Sequence, residues 1–353
     1  MDPKSRIKKK ATELGFDRVG FTDMTEPGES KRYGEWLAQG MQGEMAYLKP
    51  DRIRTAEHYP WARTMIVIAS TYYQPVRSKR GCGRVARYAL ARDYHDTLKK
   101  RLFDLSYWIE DEFKAQCKTC VDSTPILERP FARKAGLGWI GKNSLLLNKS
   151  LGSYFFLGEV MTSLELKPDR PSGKEHCGTC TRCIDLCPTK AIVAPYIVDA
   201  RRCIAYLTIE YKGVIDRELR PLMGNMIFGC DICQEVCPWN KFAKRADPKG
   251  LRKDLAAPEL APLMSLTEEQ FKERFGQTPL KRIGRDGFLR NVAIALGNSE
   301  SPDAIPALLK GLQDVSWLVR LHSAWGLARI DRTRLKGLRD RDPRVQKEID
   351  ELA

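Results

Sequence analysis

The sequence predicts an α+β protein of several domains: a mixed α/β domain first, then a cysteine-rich centre, then C-terminal α-helical HEAT-like repeats. Three observations carry this. Over about the first 165 residues, β-branched runs alternate with stretches of helical period. Eight of the 11 cysteines crowd between Cys177 and Cys237. Near the C-terminus the triplets Ala295-Leu296-Gly297 and Gly326-Leu327-Ala328 recur after roughly 31 residues, close to the short end of helical-repeat periods. A chain of 353 residues has room for about two or three domains. The expected boundaries are 1–166, 167–250 and 251–353, with KPDRPSGKE (Lys167 to Glu175) as the polar linker that opens the centre.

In the first domain, Ile7 to Leu14 reads as an amphipathic helix closed by Gly15 and leading into the apolar run RVGF. TMIVIAS (Thr64 to Ser70) has the length and branching of a buried strand, as does Tyr154 to Met161. Leu98, Leu102, Leu105, Trp108, Ile109 and Phe113 recur at helical spacing and predict a helix over Tyr94 to Phe113. The densest candidate for chemistry is VDSTPILERPFARKAGLGWIGKNSLLL, Val121 to Leu147. Asp122 stands there before Ser-Thr-Pro, a position whose ordinary use is an Asx turn or helix cap. Gly136, Gly138 and Gly141 would let backbone approach a flat or bulky ligand. They make no dinucleotide fingerprint, because a charged segment rather than a strand precedes them.

The centre opens with HCGTCTRCIDLCPTKAI (His176 to Ile192), spaced C-x2-C-x2-C-x3-C-P. Farther on, CDICQEVCP repeats only three of these cysteines, with Ile227 in the place of the first. Where two [4Fe–4S] clusters share such a block, the cysteine before proline serves the other cluster. Cys177, Cys180 and Cys183 therefore take Cys237 as fourth ligand. Cys230, Cys233 and Cys187 lack one, and Cys203 supplies it if a helix inserted around Leu219 to Phe228 has displaced it upstream. The centre then reads as a ferredoxin-like domain with two [4Fe–4S] clusters. Zinc also uses cysteine pairs, but a ribbon separates two C-x2-C knuckles by a spacer and has no C-x2-C-x2-C-x3-C-P run. His176 is read as a neighbour of the ligands, and Cys82, Cys117 and Cys120 as spare; CKTC is placed at the end of a helix.

Lys and Arg outnumber Asp and Glu by 60 to 45, a surplus that suits a polyanionic partner such as nucleic acid. No apolar run is long enough to span a membrane. The N-terminus lacks a secretory pattern, and the cysteine usage suits a reducing compartment. A cytoplasmic protein without membrane association is expected.

DSTPILERPFARKAGLGWIGKNSLLL, RYALARDYH (Arg87 to His95), GSYFFLGEVMT (Gly152 to Thr162) and CIAYLTIEYKG (Cys203 to Gly213) together resemble the epoxyqueuosine reductase family over nearly the whole chain. The resemblance implies a monomeric, cytoplasmic tRNA-modifying oxidoreductase, related to reductive dehalogenases. It performs the last step of queuosine biosynthesis, reducing epoxyqueuosine to queuosine at the wobble position. It implies an N-terminal cobalamin-binding domain fed with electrons by the two clusters, and an aspartate matching Asp122 as general acid, its pKa raised by burial against the corrin. Tyr88, Lys142 and Asn143 are corrin contacts by their place in the matching motifs. The cobalt-ligating pattern D-x-H-x-x-G is not met: Leu98 follows Asp93-Tyr94-His95 where glycine is required. This agrees with base-off cobalamin without a histidine ligand. For the anticodon stem-loop of tRNA the candidate contacts are Lys241, Lys244, Arg245, Lys249, Lys281, Arg282, Arg285 and Arg290. The electron donor is left open.

Three other readings stand beside this one. A reductive dehalogenase-like enzyme would act on a small molecule. A ferredoxin-like electron-transfer protein would leave Asp122 without a task. A nucleic-acid-binding protein with structural clusters would tolerate Asp122→Asn.

Overall fold

The computed structural model describes the chain except for Met1, Arg77, Ser78, Arg80, Ser123, Lys174, Pro248 and Lys249. Its packing forms two compact units. The first is Met1–Gln74, Asp93–Ala200 and Ile232–Lys249; the second is Pro75–Arg92, Arg201–Asp231 and Gly250–Ala353.

The first unit is built on an antiparallel sheet of β1 (Arg18–Asp23), β2 (Thr64–Thr71), β3 (Cys117–Cys120) and β4 (Phe155–Thr162), in the order β1-β2-β4-β3. The run TMIVIAS becomes a central strand because both its faces are covered. Alternation sends Ile66, Ile68 and Val160 to one face, where they pack with Ile7 and Ala11 of helix α1 (Pro3–Glu13) and Leu98, Leu102, Leu105 and Ile109 of α2 (Tyr94–Phe113). Met65, Val67, Ala69 and Met161 point to the other face, against Phe131 and Ala132 of α3 (Glu128–Lys134). Gly158 lets α2 sit close: a Cβ there would lie 2.5 Å from Leu102 Cδ1. Asp93 caps α2, its carboxylate accepting the His95 N–H.

CKTC differs from the expectation. It does not end a helix but forms the edge strand β3, with Cys117 opposite Thr162 and Cys120 opposite Glu159. Lys114, left-handed at φ 51°, ends α2 three residues earlier. The strand places Asp122 just beyond its C-terminal end.

In the second unit, α4 (Gly284–Asn298), α5 (Trp317–Ile330) and α6 (Pro343–Leu352) pack around Phe288, Val292, Leu308, Val319, Leu327, Val345 and Ile349. The small residues act as the repeat predicts. A Cβ on Gly297 would come 2.6 Å from the Cα of Gly326, so α4 and α5 cross at backbone contact. The helix expected around Leu219 to Phe228 does not form. Pro221 opens a 3-10 turn, Gly224 at φ 56° ends it, and Met226–Phe228 is a short strand paired in parallel with Arg84–Val85.

Candidate functional site

Asp122 is held in a tight turn between β3 and α3. Its φ of 47° lies in the left-handed region, a conformation that costs a non-glycine residue about 1 kcal/mol or more and persists where surroundings over-determine it. Its N–H donates to Glu128 Oε1 at 2.6 Å, and its carbonyl accepts a long 3.4 Å bond from Arg52 Nη2. The carboxylate is aimed at the first turn of α2. Tyr94 donates its hydroxyl to Asp122 Oδ2 at 3.1 Å, and His95 Nε2 lies 3.3 Å from the same oxygen. His95 Nδ1 sits 2.8 Å from Asp93 Oδ1. The Tyr94 ring is fixed between Phe156 (centroids 4.4 Å apart) and His95 (4.1 Å).

This geometry changes how Asp122 can work. The Asp122 side chain is 53 % exposed, and the imidazole beside it favours its charged form. Hydrogen bonding to Asp122, then to Asp93, pushes the imidazole up to about 9 against the opposing effect of burial. The pair can thus carry a proton at neutral pH, on the imidazole facing Oδ2. Behind it, burial and the Asp122 charge push the Glu128 carboxyl up to about 7. Glu159, wholly buried, is raised well above the usual carboxylate range by burial and by the charges of Glu128 and Asp122.

The sequence singled out Asp122 but not these partners. In the sequence Asp93-Tyr94-His95 closes one of the stretches that carry the resemblance and falls short of the cobalt-ligating pattern. Its signal as an acid pair lies in tertiary proximity across 27 residues, which no local spacing reports.

Among the expected corrin contacts, Lys142 donates from Nζ to the carbonyls of Gly178 (2.7 Å) and Cys180 (3.1 Å), which places it on the first cysteine loop. Asn143 is buried, with Nδ2 at 3.5 Å from the Cys233 carbonyl and Oδ1 accepting the Leu145 N–H. Tyr88, in the second unit, has its ring 6.2 Å from that of Phe228. Next to Asn143, the buried Ser144 Oγ finds no protein partner among the described residues. A polar atom left so is the kind of donor that the amide groups around a corrin can satisfy, so this turn fits the expected group. Two of the three glycines are required by packing within the chain. A Cβ on Gly138 would lie 1.9 Å from the Leu147 carbonyl oxygen, and one on Gly141 would lie 2.2 Å from Leu147 Cδ1. They close the hairpin of Trp139–Ile140 with Leu146–Leu147.

The first cluster site is assembled within the first unit. Cys177 and Cys180 lie on the loop that enters the short helix Arg182–Asp185, Cys183 is on that helix, and Cys237 follows the helix Ile232–Glu235 packed beside it. Burial pushes the Cys183 thiol up to about 11, with contributions from Cys177, Cys237 and Cys180. Burial also raises Cys237, and Cys177 and Cys180 add to it. The C-x2-C-x2-C-x3-C-P spacing suits a multi-iron core better than mononuclear zinc. His176 packs its ring between Trp139 (4.7 Å) and Trp239 (5.6 Å), an aromatic wall beside the ligands. Cys120 is inert, its thiol pushed up to about 12 by burial and the neighbouring Glu159.

The RNA candidates divide. Lys241, Lys244, Arg245 and Lys281 are exposed, Lys244 pairing with Asp17 at 2.6 Å. Arg282 is half-exposed and paired with Glu210 at 2.7 Å. Lys249 lies outside the described residues. Two expectations are corrected. Arg290 is wholly buried: its guanidinium donates to the carbonyls of Leu207, Tyr211 and Gly213 and to Asn291 Oδ1, and has no path to a phosphate. Arg285 is also drawn inward, held by Asp314 at 2.5 Å and by the Leu266 carbonyl.

Three family models match the chain: a 4Fe-4S double cluster binding domain over 176–240, epoxyqueuosine reductase QueG over 52–123, and a PBS lyase HEAT-like repeat over 288–314. The chain is 46% identical over 339 residues to the epoxyqueuosine reductase of Pseudomonas aeruginosa, covering 92% of this chain and 93% of that one. It is 42% identical over 335 residues to that of Escherichia coli, covering 92% and 88%. A crystal structure of epoxyqueuosine reductase with an epoxyqueuosine-modified tRNA-Tyr stem loop superposes with a TM-score of 0.91 at 30% identity, covering 99% of this chain and 97% of that one.

Proposed function

This chain belongs to the epoxyqueuosine reductase family, and from that membership and the geometry around Asp122 we propose that it reduces epoxyqueuosine to queuosine in the anticodon loop of tRNA. The carrying observation is the placement of Asp122 Oδ2 against both Tyr94 and His95. An epoxide leaves as water only if its oxygen receives two protons while two electrons enter the carbon framework, so a reductase for it must hold a proton where the C–O bond opens.

His95 Nε2 and Asp122 Oδ2 hold the first proton; Asp122, on the exposed side of the pair, passes it to the developing alkoxide, and the second reaches the leaving oxygen from solvent through the same pair. A positioned acid of this kind is worth about 10²–10⁴ in rate. The hydroxyl of Tyr94 keeps Oδ2 oriented. Asp93, on the other imidazole nitrogen, fixes the ring and favours its charged form.

Cobalamin, when bound, would supply the reducing chemistry of low-valent cobalt; Lys142, Asn143, Ser144 and Tyr88 are the residues we assign to hold it. Cys177, Cys180, Cys183 and Cys237 hold one [4Fe–4S] cluster, and Cys187, Cys203, Cys230 and Cys233 the other. We retain 1–166, 167–250 and 251–353 as the corrin-binding, cluster-binding and HEAT-like segments. Lys241, Lys244, Arg245, Lys281 and Arg282 offer charge to the stem-loop, in a monomer working in the cytoplasm with a separate electron donor. No helix among the described residues is long and apolar enough to cross a membrane.

The test is anaerobic purification, cobalamin loading and metal analysis, followed by mass spectrometry of an epoxyqueuosine-bearing stem-loop incubated with a chemical reductant. About eight irons and one cobalt per chain, with loss of one oxygen from the RNA, support the proposal. Zinc in the thiolate sites, or RNA of unchanged mass, overturns it.

A further inference from the structure

Asp122 is held not through its side chain alone but through its own peptide. The N–H is taken by Glu128 Oε1 at 2.6 Å and the carbonyl by Arg52 Nη2 at 3.4 Å. Arg52 also donates from Nη1 to the Ile126 carbonyl at 3.2 Å, so it ties both ends of the turn. A left-handed φ of 47° on an aspartate needs such a restraint. Without it the turn relaxes and Oδ2 leaves the reach of Tyr94 and His95. We propose that Glu128 and Arg52 form a peptide clamp that positions Asp122, and that the clamp tightens when Glu128 loses its proton. This rests on the reading of Asp122 as the acid, and adds to it the residues that set its geometry.

The charged and titratable groups facing this clamp are Asp122 and Arg129 from the loop and α3, Arg52 from the 50–53 turn, Glu159 from β4 and Cys120 from β3. Glu159 is wholly buried, and neither of its carboxylate oxygens has a hydrogen-bond partner among the described residues. It therefore keeps its proton, as does the Cys120 thiol. Glu128 is left as the member whose charge changes near neutrality. An N–H bond to a carboxylate is roughly twice as strong as one to a neutral oxygen, so ionisation of Glu128 strengthens the hold on Asp122. Glu128 never touches the substrate in this account; it is a positioning residue.

The experiment uses the cluster- and cobalamin-loaded enzyme with an epoxyqueuosine-modified stem-loop, across pH 5.5–9.5 (about), for Glu128→Ala, Glu128→Gln and Asp122→Asn. Glu128→Ala is expected to lower kcat by about 100-fold, the scale of an ångström-sized misplacement, with KM for the RNA within about twofold. Glu128→Gln keeps an oxygen for the N–H but cannot ionise. It is expected to recover much of that loss while losing the rise in rate that the parent shows through pH ~7. Wild-type kcat in Glu128→Ala overturns the clamp. So does a Glu128→Gln profile that keeps the parent's rise, which also decides the matter if the alanine variant fails to fold. Full turnover by Asp122→Asn would instead overturn the reading of Asp122 itself, whatever the Glu128 variants do.

Discussion

His95 Nε2 lies 3.3 Å from Asp122 Oδ2 while His95 Nδ1 lies 2.8 Å from Asp93 Oδ1. The imidazole is thus bracketed by two carboxylates, and its proton is stabilised from both sides. Because its pKa is raised from 6.5 to about 9, the imidazole keeps its charge at neutral pH and loses it as pH rises through about 9. The single-turnover rate should fall over that upper range. In His95→Gln, which retains polar contacts but cannot carry the charge, the rate should be at least about tenfold lower at neutral pH and the alkaline fall should vanish. A pH-rate profile of the two proteins checks this.

Glu159 bears on stability rather than on the acid itself. Its folded-state pKa lies well above the ordinary 4.5, so between 4.5 and that raised value the unfolded chain releases a proton that the folded one keeps. Stability must fall as pH rises through this window, by up to about 1.4 kcal/mol per pH unit for one full proton. Glu159→Gln should flatten the decline between pH 5 and 8 (about), read from urea midpoints at each pH. An unchanged slope would show that Glu159 is not the group responsible.

Arg290 is a tie within the second unit. It reaches three backbone carbonyls and Asn291, so Arg290→Met leaves buried acceptors without donors, at about 1–3 kcal/mol for each one left unsatisfied. Chemical denaturation should show a loss of about 3 kcal/mol or more. Lys281→Ala should leave stability within about 0.5 kcal/mol and reduce the salt dependence of stem-loop binding by about one unit of slope.

The contact of Gly297 with Gly326 predicts a third stability effect. Gly297→Ala favours the isolated helix by up to about 1 kcal/mol, yet its Cβ would stand 2.6 Å from the Gly326 Cα. Overpacking of this sort costs about 1–3 kcal/mol, so a net drop in Tm is expected. A rise in Tm would mean that α4 and α5 do not meet there.

These residues also show what could be read from sequence. The cysteine spacing speaks for itself, because C-x2-C-x2-C is a local wrap around a compact core and needs no knowledge of the fold. The helix over Tyr94 to Phe113 is legible from its 3.6 period, and the strand from Thr64 from a continuous β-branched run of strand length, as a strand covered on both faces requires. Cys117–Cys120 was not: an edge strand of four residues takes its form from pairing with Phe155–Thr162, far along the chain. Arg290 was misplaced because arginines are seldom fully buried, and only the packed carbonyls around it show otherwise. The missing helix near Leu219 was foreshadowed by Pro221 and Gly224, whose breaking effect outweighed the apolar residues around them. Asp122 could be found as a residue, but the hands that hold it, Tyr94, His95 and Glu128, are brought to it only by the fold.

The central claim is that Asp122 delivers the proton on which C–O cleavage depends. The most direct measurement compares Asp122→Asn with the parent enzyme, both loaded with clusters and cobalamin, by mass spectrometry of the stem-loop in a single turnover. The account predicts about eight irons per chain and parental RNA affinity in the variant, with conversion slowed at least about 100-fold. Conversion by Asp122→Asn at the parental rate would contradict it.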